Sequence, residues 1–396
     1  MRTLPPWLEV FVAFLRLGLS AFGGPIAHLG YFHRAFVERR RWLDEASYGD
    51  IVALCQFLPG PASSQTGILI GLSRGGYAGA VAAWVGFTLP SAVLMVAFAY
   101  AAPAISGAIG GGWLHGLKLA AVAVVAQAVL AMLRAQAPDA PRATLAVAMA
   151  AATLALASPY APLAAILVGA AVGLALMRDG EREARPALPL KVTRPVALAA
   201  LALFAGLVVG LPLAAAASGD RGLDEAARFF RVGSLVFGGG HVVLPLLQRE
   251  VVDAGWVDPN AFLAGYGAAQ ALPGPLFSVA AYLGAVMRQP PTGLAGAAIC
   301  LGAIFLPSFL LVFGVAPFWE ALRRNALAQG ALKGANAAVV GVLMAALYDP
   351  VWTGSVGRPL DVAVVGVDFL LLTAWRAPPW LVVIGSAVAG VVLNGA

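Results

Sequence analysis

Charge is scarce in this chain. Asp, Glu, Lys and Arg make up 11% of its 396 residues, against 61% hydrophobic, whereas a soluble domain carries about 25% charged and 45–50% apolar residues. That balance excludes an ordinary soluble domain, a disordered chain and a nucleic-acid-binding protein. Cysteine is almost absent. Cys55 and Cys300 stand far apart in apolar runs and form no CxxC pair, which argues against a disulfide scaffold and against zinc or iron–sulfur centres. The four histidines, His28, His33, His115 and His241, show no HxxxH or HxxE spacing, so neither a metal nor a cofactor is expected. Arg16 interrupts the first apolar run and no short apolar region ends in a small-residue cleavage site, so no cleavable signal peptide is expected. The net charge is +6. In a membrane protein such a Lys/Arg excess reflects loops retained in the cytoplasm.

Long apolar runs are abundant. A helix needs about 20 mainly apolar residues to cross a bilayer. The windows 76–100, 113–135, 195–216, 291–316, 327–348, 358–375 and 378–395 qualify, and 142–157 with 160–177 read as a helical hairpin turning at Ser158–Pro159–Tyr160. Residues 8–38 and 46–74 are different, being interrupted by Phe22–Gly23–Gly24–Pro25 and Leu58–Pro59–Gly60–Pro61. The pieces on either side, about 12–15 residues long, reach roughly 18–22 Å, enough for the midplane but not for a crossing. They predict broken or re-entrant helices.

The chain repeats itself. FLRLGLSAFGGP at 14–25 and FFRVGSLVFGGG at 229–240 agree at six of twelve positions, including Arg16/Arg231, Gly23/Gly238 and Gly24/Gly239. Trp42 and Asp44 match Trp256 and Asp258, QFLPGP at 56–61 matches QALPGP at 270–275, Leu89–Pro90–Ser91 matches Leu306–Pro307–Ser308, and Leu117–Lys118 matches Leu332–Lys333. The expected organisation is an N-terminal membrane repeat (1–177), a cytoplasmic linker with one connecting helix (178–218) and a C-terminal repeat (219–396). Loop charge sets their relative orientation. Segment 33–45 carries four arginines, while its counterpart 248–258 has one arginine and three acids; the uncharged loop 101–112 answers a stretch near 317–326 that holds Arg323 and Arg324. Each loop changes side between the halves. The expectation is an all-α polytopic membrane protein of two inverted repeats, with nine full spans and four re-entrant hairpins meeting near the midplane. This is the architecture of many secondary transporters.

A helix that restarts after a Gly/Pro break offers free N–H groups and a positive dipole end, which inside a membrane attract an anion. Gly23, Gly24, Gly238, Gly239 and Gly240 permit close backbone approach, and Pro25, Pro61 and Pro275 suit a first helical turn. The two PGP breaks (Pro59, Gly60, Pro61 and Pro273, Gly274, Pro275) are followed by Ser63, Ser64, Gln65 and by Ser278, whose donors suit oxyanion oxygens. Gln56 and Gln270 precede them at equivalent positions. Packing and capping explain any one of these motifs equally well; their symmetric recurrence favours a site. Arg16 and Arg231 stand in apolar helices six residues before the next break. Arginine there either faces a polar interior or snorkels to headgroups; the first reading gives a tetrahedral dianion two forked donors. His28, His241 and Asp50 are candidates for a proton or anion relay, with packing as the alternative. Asp368 is a further acid in an apolar run; Lys118 and Lys333 are weaker candidates near helix starts, and Cys55 reads as packing.

FGGPIAHLGYF at 22–32, RRRWLDEASYGDIVALCQFLPGPASSQ at 39–65, VFGGGHVVLPLLQREVV at 236–252 and GYGAAQALPGPLF at 265–277 together resemble the chromate ion transporter family in its long two-domain form. The resemblance covers nearly the whole chain. It implies a multi-pass exporter in a bacterial inner membrane that removes chromate from the cytoplasm, driven by the membrane potential or a proton gradient; sulfate, of similar charge and shape, is expected to compete. By analogy it also implies a homodimer. The residues alone indicate an inverted-repeat transporter for an anion. Sulfate uptake or exchange, an anion channel and a membrane-embedded oxyanion reductase are the rival readings.

Overall fold

The computed structural model describes residues 4–156, 158, 161–177, 190, 192–237 and 240–395. Gly238, Gly239, most of the 178–194 linker and the Pro159–Tyr160 turn lie outside these residues. Everything regular among them is helix.

The first apolar segment breaks where expected. α1 (Pro6–Ser20) ends at Ala21, and α2 (Gly24–Phe32) restarts behind Gly23, whose φ of 99° suits glycine. A wider helical turn continues through His33–Arg39. α3 (Glu45–Phe57) is capped by the Asp44 side chain, which accepts the Ser47 N–H. It stops at Leu58, which the following Pro59 pushes into extended backbone. α4 (Ala62–Ile109) restarts behind Pro61 and bends sharply at Gly75–Gly76. The three short pieces double back. Glu9 near the start of α1 pairs with Arg40 at 3.8 Å and with Arg74 at 2.8 Å, so the outer ends of both hairpins meet. The breaks lie at their tips.

α5 (Gly112–Gln136), α6 (Ala140–Leu156) and α7 (Ala161–Leu176) complete the first half, and α8 (Arg194–Ser218) connects it to the second. There the series recurs as α9 (Arg221–Leu235), α10 (Val243–Val251), α11 (Pro259–Gln270), α12 (Val279–Val286), α13 (Gly293–Val315), α14 (Trp319–Arg324), α15 (Ala326–Ala346), α16 (Pro359–Thr373) and α17 (Pro379–Gly395). Its hairpins double back as well. Arg221 donates to Gln289 at 2.8 Å and lies over the Trp256 ring at 4.3 Å.

The halves interlock. α15 packs against α6 and α7, and α5 against α16 and α17. At the α7–α15 seam Gly169 and Gly173 meet Gly330 and Gly334 backbone to backbone, and at the α5–α17 seam Gly116 meets Gly390. In lipid, where tails are as apolar as leucine, such small-residue seams let helices approach closely. In the first half Phe14, Phe32, Phe36 and Phe87 form one aromatic cluster, with Phe14 stacked on Phe36 at 4.8 Å. Burying each such ring contributes about 1.5–3 kcal/mol.

Among the described residues five helices are long and apolar enough to cross a membrane: 62–109, 112–136, 194–218, 293–324 and 326–352. α6, α7, α16 and α17, expected as spans, have 17, 16, 15 and 17 residues, at or below the lower limit for a crossing of about 17. Pro61 and Pro275 cap the segments that follow rather than entering their first turns; Pro25 is inside the first turn of α2, as expected.

Candidate functional site

The four breaks meet in pairs through backbone hydrogen bonds between the halves. Gly60 N–H donates to Val236 O at 2.6 Å, and Gly274 N–H donates to Ala21 O at 3.0 Å. Gly60 and Gly274 are repeat equivalents, and so are Val236 and Ala21, so one bond is the counterpart of the other. The same holds for the neighbours. A Cβ on Gly60 would lie 3.0 Å from Ser308 Oγ, and one on Gly274 would lie 2.9 Å from Ser91 Oγ. Gly240 faces Pro25, its own equivalent, with 3.2 Å between its Cβ position and the proline ring. Positive φ values of 121° at Gly60 and 97° at Gly274 explain why glycine occupies both turns.

Against three of these breaks, the one at 58–61 contributing no lining residue, lies a pocket of about 40 Å³ lined by Gly23, Gly24, Val124, Gln127, His241, Gln270 and Gly274, with Pro379 at the start of α17. It is far smaller than the roughly 300–1,000 Å³ of an organic-ligand site. The start of α2 opens onto it, without a side-chain cap, so its free N–H groups and dipole favour an anion. His241 Nδ1 lies 3.1 Å from the Tyr266 hydroxyl, while Nε2 lies 3.9 Å from the Cβ position of Gly24. With Tyr266 donating to Nδ1, Nε2–H is a donor on the pocket side. Gln270 Nε2 is buried beside the Tyr266 hydroxyl, the group that also meets His241. Gln127 Nε2 donates to Leu372 O at 3.1 Å, fixing α5 against α16. No carboxylate is among the lining residues.

The sequence candidates divide. Gly23, Gly24, His241, Gln270 and Gly274 come together, and Pro273 and Pro275 flank them in the chain. Gly60 joins the cross-half bonds. Pro59 O accepts Gln65 Nε2 at 2.6 Å. Ser63, Ser64 and Gln65 are buried behind Pro61, with Ser64 Oγ and Gln65 Oε1 unpartnered among the described residues. Ser278 is buried in the turn behind Pro275. Gly238 and Gly239 lie outside the described residues. His28 is held inside the first half, with Nε2 3.2 Å from Ala21 O and Nδ1 3.3 Å from Ser63 Oγ; it ties break to helix start. Asp50 pairs with Arg323 at 3.7 Å, away from the pocket. Gln56, unlike Gln270, is exposed. Arg16 is exposed, and Arg231 pairs with Glu250 at 2.9 Å with its side chain 43% exposed; neither lines the pocket. Asp368 accepts the Ser386 hydroxyl between α16 and α17. Sequence reasoning missed Gln127 and Tyr266. Gln127 was detectable, being the only polar side chain between Lys118 and Arg134.

Broken helix hairpins meeting at a donor-lined pocket within a shell of apolar helices define a polytopic membrane transport protein. The sequence profile of the family described as "Chromate transporter" matches residues 8–174 and 223–391, and the chain belongs to that family. It is 29% identical to a probable chromate transport protein of Synechococcus elongatus over 96% of this chain and 93% of that one. It is 27% identical to a chromate transport protein of Pseudomonas aeruginosa (95% and 90% covered) and 26% identical to one of Cupriavidus metallidurans (97% and 92%). No solved structure matches. The apolar helices agree with the expected multi-pass placement in a bacterial inner membrane.

Proposed function

We propose that the protein exports chromate, a tetrahedral dianion, from the cytoplasm and so confers chromate resistance, with the pocket lined by Gly23, Gly24, Gln127, His241, Gln270 and Gly274 as the substrate site. The observation carrying this reading is the pair of equivalent backbone bonds, Gly60 to Val236 and Gly274 to Ala21. They close the breaks around a pocket that offers donors and no carboxylate. The three named relatives add the substrate. Each half is one repeat, and the repeats are inverted. Two cross-half contacts support the inversion: Asp50 near the start of α3 meets Arg323 just before α15, whereas Lys118 near the start of α5 meets Asn260 at the start of α11. After the α1–α2 and α3–α4 hairpins return to one face, the 77–109 arm of α4 carries the chain to the other, where α5 begins. The starts of α3 and α15 therefore share one face and those of α5 and α11 the other, so equivalent helices start on opposite faces. Rocking one half on the other then exposes the pocket alternately.

Voltage alone suffices for export. One charge through 100 mV is worth about 2.3 kcal/mol, and a dianion leaving a negative interior gains twice that. The test is chromate flux in proteoliposomes with voltage and pH gradient imposed separately, following the chromium oxidation state. Voltage-driven movement of unreduced chromate, slowed by sulfate and little affected by nitrate, is the expected result. Flux of sulfate without chromate, or reduction in place of flux, would overturn the reading.

A further inference from the structure

α5 and α11 pack side by side and both reach the central pocket, through Gln127 and Gln270. From Lys118 to Gln127 is nine residues and from Asn260 to Gln270 is ten. At 1.5 Å per residue these are about 13–15 Å, half of a hydrocarbon core of about 30 Å. At the outer end of this pair Lys118 Nζ donates to Asn260 Oδ1 at 2.9 Å and to Gly354 O at 3.3 Å. A second cavity opens there. Its volume is about 400 Å³, ten times that of the central pocket, and it is lined by His115, Lys118, the 353–358 turn and Asp361.

Donor counting gives this cavity a sign. A carboxylate has about four acceptor positions. Those of Asp361, which is 1% exposed, are already engaged. Oδ2 accepts the Gly357 and Arg358 N–H groups at 3.0 Å each; Oδ1 meets His115 Nε2 at 3.0 Å and accepts from the Arg358 guanidinium at 3.3 Å. The one lining carboxylate is thus turned inward. Asp258, two residues before the Asn260 that Lys118 meets, caps α11 and pairs with Arg288 at 3.5 Å. Donors remain. An ammonium has three N–H groups and Lys118 uses two; Arg358 has five and uses one through its side chain. Ser355 Oγ lines the cavity at 4% exposure without a partner among the described residues. Among the lining side chains Lys118 and Arg358 against Asp361 leave one net positive charge; Asp349, which accepts the Thr353 hydroxyl at 3.1 Å, lines a different cavity.

We propose that this cavity is an anion vestibule, a loose site for a hydrated divalent oxyanion on its way between the central pocket and the α5–α11 face. The choice of oxyanion rests on the proposed function; the anion preference does not. The test places a cysteine at Thr353, an exposed lining residue, in the full-length chain with Cys55→Ala and Cys300→Ala, in nanodiscs. Labelling rates of an anionic and a cationic methanethiosulfonate are each divided by the rate on a free thiol. The expected result is an anionic preference of at least about tenfold, lost in Lys118→Gln/Arg358→Gln and competed by sulfate. Equal rates, or a cationic preference, overturn the vestibule whether or not the protein moves chromate. In flux assays Lys118→Gln should raise the chromate KM about threefold, and no more than about fivefold, with kcat unchanged, as loss of one exposed-site charge contact gives. An unchanged KM counts against the vestibule, while absent flux in the unsubstituted protein counts against the transport reading alone.

Discussion

Behind Pro61 the first half buries Ser63, Ser64, Gln65 and Thr66 in succession, while behind Pro275 the second half buries Leu276 and Phe277 before Ser278. The backbone contacts of the two breaks are counterparts; the side chains around them are not. His28 in the first half stands opposite Val243 in the repeat, and His241 in the second stands opposite Ile26. Gln270 faces the pocket, whereas Gln56 is exposed. Gln127 on α5 has Val342 as its counterpart on α15. The duplication therefore repeats a scaffold while the side chains of the pocket differ between the halves: among the described residues it takes Gly23, Gly24 and Gln127 from the first half and His241, Gln270 and Gly274 from the second. A transporter needs this combination. Near-equal halves can exchange conformations, and one central site serves both.

The breaks are where the symmetry can be broken most strongly. Gly60→Leu and Gly274→Leu should each destabilise the protein by about 2–5 kcal/mol, combining left-handed backbone strain with overpacking against Ser308 or Ser91. Melting of purified variants checks this; a leucine tolerated at one position and not at the other would show that the equivalence is only of sequence. The histidines should then separate. His28→Ala leaves Ser63 Oγ and Ala21 O without their ring partner, costing about 1–3 kcal/mol of stability. His241→Ala should melt closer to the unsubstituted protein and lose about tenfold in chromate kcat/KM, the equivalent of about 1.4 kcal/mol. Reversal of that pattern would move the site into the first half.

The arginines come next in size. Arg231→Gln breaks a half-exposed pair with Glu250 and should cost no more than about 1 kcal/mol of stability. With Arg16 exposed, Arg16→Gln and Arg231→Gln should each change the chromate KM less than about threefold. A 25-fold fall in affinity, by contrast, would restore the two arginines to the substrate. The smallest effect is expected at His33, whose pKa is raised above 6.5 chiefly by its hydrogen bond to Glu45, with Glu38 adding to it. A raised folded pKa stabilises fully below the unfolded value and loses that contribution as pH rises through the folded one. His33→Gln should therefore lower the melting temperature slightly below pH 6.5 and leave it unchanged well above the raised value.

The breaks were legible because Gly and Pro act through their own backbones. PGP ends a helix wherever it stands, and the duplicated FGG and PGP motifs placed all four tips. The hairpin return of residues 8–38 needed the structure, since it is fixed by Glu9 meeting Arg40 and Arg74 across long chain separations. Side-chain facing was the least legible property. Arg16, Arg231, Gln56 and Gln270 each satisfy the same repeat logic, yet helix rotation turns only Gln270 onto the pocket. Tyr266, which holds His241, has no equivalent polar partner to draw attention to it. Gln127 shows the converse: a single amide in an apolar helix is a signal even without a repeat mate.

The most direct measurement is voltage-driven chromate flux in proteoliposomes for Gln270→Leu beside Gln56→Leu, repeat equivalents that differ only in what they face. The Gln270 variant should lose at least about tenfold in kcat/KM, because a hydrogen bond to a charged group is worth about 1.5–3 kcal/mol, and the Gln56 variant should stay within about twofold. Equal losses in the two, or a loss confined to Gln56, would contradict a substrate site at the pocket that Gln270 lines.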